Sequence, residues 1–337
     1  MTPPDLLPDL DSRCRRLMAE LGLGRDVAQV VALSGGVASD IAMVDLGHTR
    51  LCAKFALPKL RVAADWFAPV HRNAAEYAWL ESAARVVPGN VPRLYGRSAR
   101  LQGFAMEYLD GAGIYLWKTA LLSGAVARGE AAAVGDVLGR IHAASAVAGF
   151  DKGPFRNRDD FRALRLEPYL SFTASRHPDL AGALGALEQA LYLADRVLVH
   201  GDVSPKNILI RGGAPVLLDA ECATMGDASF DVAFCLNHLV LKAVHMPAQR
   251  GVLLAAGTEL WAAYRGHVGW EDPDGLERRV AALLPALMLA RVDGKSPVDY
   301  LDQAAQVQVR RLARRLIAAP APTLAATVAT IAEGVTG

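Results

Sequence analysis

Cysteine is scarce in this sequence: four in 337 residues (Cys14, Cys52, Cys222 and Cys235), with no C-x-x-C pair. That spacing excludes a disulfide framework and fits a reducing compartment. An excess of charge of one sign is also missing. Thirty-six basic residues stand against 35 acidic ones, a formal net charge of +1. So even a balance offers no broad field for nucleic acid or an anionic membrane, and neither is expected as a partner. Any phosphate must be gripped locally by a few placed groups. Long apolar runs are absent, and none approaches the ~18 residues that a membrane span needs. The best of them, AALLPALMLA at 281–290, is short and carries Pro285. The opening MTPPDLLPDLDSRCRR has acidic residues first and no apolar signal core. A soluble, cytoplasmic protein is the expectation. The sequence contains no internal repeat, no Walker A loop and no dinucleotide fingerprint.

What is present is a hydrophobic fraction of 52%, enough for one large domain or two moderate ones. The first hundred or so residues mix strand and helix patterns. Residues 11–22 suit an amphipathic helix, and 27–33 form a β-branched run that breaks at Ser34-Gly35-Gly36. Residues 41–46 and 49–55 read as strands joined by a hairpin at Gly47-His48. Residues 70–85 read as a helix, and 100–108 return to strand. Beyond Gly111 the pattern changes to Ala/Leu-rich helices at 119–148, 179–195, 248–266, 277–291 and 299–318. A short β stretch at 197–210 and 216–218 interrupts them. An α+β chain in two lobes follows: a small strand-rich lobe with one key helix at 1–105, a hinge at 106–111, and a mostly helical lobe at 112–337. Ligand sites favour such junctions.

The densest chemistry lies in VLVHGDVSPKNILIRGGAPVLLDAECATMGDASFD, residues 197–231. An apolar strand delivers His200-Gly201-Asp202 into a loop that Pro205 keeps irregular and that Asn207 closes. A strand, a Gly212-Gly213 turn and a second strand then lead to Asp219. Asp202, Asn207, Asp219 and Glu221 thus gather at neighbouring ends of short paired strands. Carboxylates and an amide oxygen converging there make a hard-oxygen site suited to Mg²⁺. Phosphoryl transfer needs one carboxylate to take the proton of the attacking hydroxyl and others to hold the metal on the phosphates.

HGDVSPKN resembles the catalytic loop of the aminoglycoside phosphotransferase and choline kinase superfamily, where HGD stands in place of the HRD of protein kinases. LLDAECATMGDASFD is similar to that superfamily's metal-binding segment. The resemblance implies a protein-kinase-like two-lobed fold, ATP and Mg²⁺ as cofactors, and a small-molecule hydroxyl as acceptor. It makes Asp202 the catalytic base, Asn207 and Asp219 metal ligands, and Glu221 a second acidic contributor. Asp231 is expected to anchor the catalytic loop backbone, and Lys206 either touches the γ-phosphate or is solvated.

The N-terminal part should supply the phosphate clamp. In Ser34-Gly35-Gly36, between two strand-like runs, glycines let backbone N–H groups approach phosphate oxygens. The superfamily's loop commonly carries Asn where Asp40 stands here. Lys54, in RLCAKFAL, sits among apolar neighbours and needs a partner if buried. Glu76 on the following helix is the natural one, with Glu81 as competitor. Their ion pair would hold Lys54 over the α- and β-phosphates. Met106-Glu107-Tyr108-Leu109 resembles the hinge whose backbone meets the adenine edge, which puts Glu107, Tyr108 and Leu109 beside the nucleotide.

The acceptor is less legible. Residues 54–80 and the D-x-E of DAECATMGD resemble 5-methylthioribose kinases, so a sugar or thiosugar is one candidate. An amino alcohol or an aminoglycoside-like compound is another. Arg291, at a helix end, either lines that pocket or merely caps a helix connector. A non-catalytic, kinase-like sensor of nucleotide or small ligand is the alternative, although such proteins usually lose the base or the metal aspartate. A protein kinase is disfavoured, because no APE-like segment follows and little room remains for an activation loop.

Overall fold

The computed structural model describes residues 9–33, 39–59, 69–126 and 128–334. The N-terminal part contains α1 (Leu10–Glu20), β1 (Gln29–Ala32), β2 (Ser39–Asp45), β3 (Arg50–Ala56), α2 (Arg72–Val86), β4 (Leu94–Ser98) and β5 (Gly103–Glu107). Its five strands form one antiparallel sheet in the order β1-β2-β3-β5-β4. Strand alternation decides what each face does. Leu51, Ala53 and Phe55 of β3 join Ala42, Val44 and Ala105 in a core with Cys14, Leu17 and Met18 of α1. Cys52 of β3 and Phe104 and Met106 of β5 point the other way, into a core with Trp79, Leu80 and Ala83 of α2. Lys54 shares the face of Cys52, so the pleat turns it from α1 toward α2.

The chain then crosses to β6 (Ile114–Leu116), α3 (Trp117–Leu122), α4 (Glu130–Ser145) and α5 (Arg158–Phe161). The wider π-helical turns of Arg162–Ser171 carry Pro168 inside them and run into α6 (Phe172–Arg176). After α7 (Ala181–Leu193) come β7 (Val197–Val199), β8 (Ile208–Arg211), β9 (Ala214–Leu217) and β10 (Thr224–Gly226). The chain closes with α8 (Ser229–His245), α9 (Arg250–Arg265), α10 (Pro273–Asp293), α11 (Gln303–Ala318) and α12 (Leu324–Gly334). The strands make two small sheets, β6-β8-β9 and β10-β7, all antiparallel. They sit beside a helical core in which α8 packs on α9, α10 and α11, and α9 packs on α4. Helix α8 is buried along almost its whole length, the position of a central helix. No helix among the described residues is long and apolar enough to cross a membrane.

The strand-rich part followed by a helix-rich part agrees with the expected two-lobed α+β architecture. Several elements differ from the sequence pattern. The run 119–148 is two helices, because Gly124 and Gly129 both take positive φ, near 82° and 85°, and break the helix between them. The run 299–318 begins its helix only at Gln303, where the Asp302 carboxylate accepts from Ala305 N–H at 2.8 Å. The helical stretch 158–176 also departs from the sequence pattern: Pro168 lies inside it, and its turns at Arg162–Ser171 are π-helical. Strands β6 and β10 are three residues each, too short to show alternation, and β4 is interrupted by a register shift at Gly96.

Candidate active site

Ser34, Gly35 and Gly36 lie outside the described residues, as does the Trp-containing connection at 60–68. Lys54 is 2% exposed. Its ammonium donates to Glu76 Oε1 at 2.6 Å and to the Asp219 carboxylate across the cleft. Glu76, not Glu81, is therefore its partner on α2. Burial works against the Lys54 charge, but the Asp219 and Glu76 carboxylates outweigh it and hold the ammonium well above the ordinary lysine range. Burial also pushes the Glu76 carboxyl up to about 7, with Lys54 pulling against it. For Asp219 the desolvation cost is outweighed by Lys54 and then Lys206, so the carboxyl is held far below the usual aspartate range. Asp219 takes a positive φ of 68°, rare for a residue with a side chain. Strained backbone of this kind is kept where the surroundings demand one direction for the side chain.

Asp202 is 3% exposed. Its Oδ2 is met by Arg165 Nη2 at 2.9 Å and by Lys206 Nζ at 3.0 Å. Ser204 Oγ donates to Oδ1 at 3.3 Å. Burial opposes ionisation, yet Lys206 and Arg165 outweigh it, and the carboxyl stays below the ordinary aspartate range. Arg165, on the π-helical turns, also donates to the Gly201 carbonyl at 2.6 Å. It is a site residue that the sequence reading missed, although the signal resembles that of Lys54. An arginine inside Leu164-Arg165-Leu166 cannot be buried without a partner.

The loop carrying Asp202 is held from below. The Asp231 carboxylate, fully buried, accepts from His200 N–H at 2.7 Å and Gly201 N–H at 2.8 Å, the structural anchor expected of it. His142 reaches the same carboxylate at 3.2 Å and bonds Tyr264 OH at 2.8 Å. The His200 ring accepts from Asp202 N–H on Nδ1 and donates from Nε2 to the Leu218 carbonyl, both at 3.1 Å. Burial keeps this ring below the ordinary histidine range, hence neutral and locked in one tautomer. Trp79 of α2 meets it edge-on, with ring centroids 4.7 Å apart.

Gly201 has φ near 78°, and a Cβ there would lie 2.7 Å from Cys222 Cβ and 2.9 Å from its carbonyl oxygen. The segment bearing Asp219 thus packs directly on the Asp202 loop. Gly201→Ala is expected to lower stability by about 2 kcal/mol or more, read as a fall in the thermal midpoint.

Asn207 donates from Nδ2 to the Asp202 carbonyl at 3.1 Å, and its own carbonyl accepts from Leu218 N–H at 2.9 Å. It therefore ties the Asp202 loop to the segment that follows β9 and carries Asp219. Glu221 is engaged differently: its carboxylate accepts from Arg72 Nε at 3.0 Å, with Arg72 wholly buried. This pair fastens the first residue of α2 to the Asp219 segment. Asp40 pairs with Arg13 of α1 at 2.7 Å, so its charge is matched on the α1 side. Asp227 caps the start of α8 through Ser229 N–H at 2.9 Å and pairs with Arg279 at 2.8 Å. Arg291 bonds Ser296 and Tyr169 OH, closing the end of its own helix.

The Glu107 side chain accepts from Arg211 at 2.9 Å and from Arg93 N–H at 3.1 Å, pinning the end of β5 to β8. Tyr108 and Leu109 follow it half-buried, and Arg50 lies over the Tyr108 ring at 5.7 Å. These residues cross from the five-stranded sheet to the β6-β8-β9 sheet.

Two charge clusters adjoin here, and Lys206, paired with Asp202, also acts on Asp219. Around Lys54 one cation faces two carboxylates, Glu76 and Asp219, of which Asp219 is held ionised and Glu76 is raised to about 7. Around Asp202 two cations face one carboxylate, which leaves one positive charge. The first cluster suits a divalent cation and the second an anion. Among the described residues no group of three or more His, Cys, Asp or Glu forms a metal cage. Two hard-oxygen groups, Asp219 and Asn207, instead fit a Mg²⁺ that keeps waters and arrives with phosphates.

A model of the phosphotransferase enzyme family matches residues 29–267. Among solved structures, a choline/ethanolamine kinase family protein from Mesorhizobium loti superposes with a TM-score of 0.56 at 19% identity, over 95% of this chain and 98% of that one. A macrolide 2'-phosphotransferase from Brachybacterium faecium gives 0.53 at 20% identity, over 84% and 91%. An amicoumacin kinase in complex with AMP-PNP and Ca²⁺ gives 0.56 at 13%, over 93% and 97%. None of the curated proteins matches. At these identities the likeness is one of fold, and that fold is the protein-kinase-like one with two lobes.

Proposed function

The chain belongs to the phosphotransferase enzyme family, and from that premise we propose that it is a small-molecule kinase that moves the γ-phosphate of ATP onto a hydroxyl, with Asp202 as base. The observation that carries this reading is the pair of adjoining charge clusters. Lys54 bridges Glu76 and Asp219 in one, and Arg165 and Lys206 hold Asp202 ionised in the other.

Each residue then has one task. Asp202, kept as a carboxylate at neutral pH, takes the proton of the attacking hydroxyl. Asn207 and Asp219 hold Mg²⁺, which when bound neutralises charge on the phosphates. Lys54, fixed by Glu76, faces the α- and β-phosphates. Glu221, committed to Arg72, secures α2 against the metal segment and is assigned no place on the ion. Residues 106–111 act as the hinge between lobes 1–105 and 112–337, with the backbone of Glu107, Tyr108 and Leu109 against the adenine.

Arg165 supplies a test of the base assignment through pH. It lowers the Asp202 pKa, so wild-type activity should hold flat well into the acid range. Arg165→Met removes a cation, the carboxyl titrates higher, and the acid limb of the kcat/KM profile moves up by about one unit or more. ADP release with Mg²⁺-ATP, over hydroxyl compounds and across pH, is the measurement. An unmoved acid limb would detach Arg165 from the base.

A further inference from the structure

A second cluster lies in the C-terminal part, and the chemistry described so far does not use it. Lys242 of α8 is 1% exposed. Among the described residues no carboxylate lies within ion-pair distance of it. Its Nζ reaches only the His238 carbonyl at 3.4 Å and the face of the Tyr300 ring at 5.1 Å. Tyr300 OH and Arg291 Nε are buried without a hydrogen-bond partner. Lys118 of α3 approaches Asp299 at 3.9 Å, and that carboxylate is largely exposed. Buried polar groups are nearly always satisfied, and a buried ammonium even more so.

The cluster adjoins the base. Helix α3 packs on the turn at Pro205–Asn207 that follows Asp202. Arg165, which holds Asp202, shares its helical turns with Tyr169, and the Tyr169 hydroxyl accepts from Arg291 at 3.2 Å. His238, one turn before Lys242, is held well below the ordinary histidine range by burial and then by Lys242, Arg291, Lys206 and Lys118. Burial, reinforced by Lys118, likewise pushes the Lys242 ammonium down to about 7. Water can satisfy a hydroxyl there, whereas an anion beside Lys242 would hold it as the ammonium that burial otherwise disfavours.

Resting on the kinase reading, we infer that the Lys242–Arg291–Tyr300 cluster anchors the acceptor, and that the acceptor carries a carboxylate or phosphate beside its reacting hydroxyl. A polycationic or quaternary ammonium acceptor would meet like charge here. The cluster would fix the anionic group and present the hydroxyl to Asp202.

The test is a thermal-shift measurement without nucleotide, followed by ADP release with Mg²⁺-ATP. The carboxylate arm is glycerate and gluconate, and the phosphate arm is glycerol 3-phosphate. Glycerol, choline and kanamycin are the neutral and cationic controls, all at millimolar concentration. The expected result is a raised midpoint with at least one anionic hydroxyl compound and none with the controls. That shift disappears in Lys242→Met, whose unliganded midpoint equals or exceeds that of wild type, because an unmatched buried ammonium has been removed. Tyr300→Phe keeps its midpoint and weakens the shift. For the anionic acceptor, Lys242→Met raises KM by about 10- to 100-fold. A Lys242→Met midpoint well below wild type, or no shift from any anion, overturns the inference. Anion binding without ADP release from any compound of the panel would overturn the acceptor assignment and leave only an anion site at the cluster. ADP release on choline or kanamycin without anion binding would overturn this inference and leave the kinase reading standing.

Discussion

Asp202→Asn lowers kcat by about 10²- to 10⁴-fold, the range that a positioned general base contributes, while ATP binding is retained. The amide keeps the shape and the contacts with Ser204 but cannot take a proton. Arg165 and Lys206 would then face a neutral group, so an excess of positive charge remains around it. That excess should hold phosphate at least as well as before. Loss of turnover with preserved or tighter nucleotide binding is therefore the expected signature, read by ADP release and by titration calorimetry. Loss of both together would mean that the fold, not the base, had been damaged.

Asp219→Ala has a different signature. It lowers kcat/KM for Mg²⁺-ATP by about 10³-fold, the scale of removing a principal electrostatic contact to the transferring group. The variant should still fold, because Lys54 keeps Glu76 at 2.6 Å and its ammonium is not left unpaired. Removing the side chain also relieves none of the backbone strain at φ 68°, and alanine tolerates that region less well than aspartate. Asp219→Asn is the cleaner control for stability. The dependence of nucleotide affinity on Mg²⁺ should vanish in Asp219→Ala and weaken in Asp219→Asn, which keeps an amide oxygen but no charge. Unchanged Mg²⁺ dependence would remove Asp219 from the metal site.

Local signals in the sequence carried much of the site. The HGD loop, the hairpin after it and the D-x-E segment were legible because short strands, a Gly-Gly turn and the chemistry-bearing residues are contiguous there. Lys54 was legible through a physical contradiction, a charge in an apolar strand, and the structure resolves it with Glu76 and Asp219. Arg165 presents the same contradiction, but Pro168 three residues on is a helix breaker by sequence rules, and the stretch is helical only through its wider turns. Arg72 and Lys242 are likewise buried cations, and their partners or lack of them depend on residues about 150 positions away or on packing between helices. Glu221 read as a ligand from its place in the motif; only the three-dimensional arrangement reveals the guanidinium that occupies it. The break at Ser123–Gly129 was written in Gly124 and Gly129, but alanine-rich flanks on both sides masked it.

Following the radiolabelled γ-phosphate of ATP, with Mg²⁺ and a panel of hydroxyl compounds, tests the account most directly. The label is expected on an acceptor oxygen with the wild-type protein and not with Asp202→Asn. Label appearing only as inorganic phosphate, or reaching the acceptor equally fast without the Asp202 carboxylate, would contradict it.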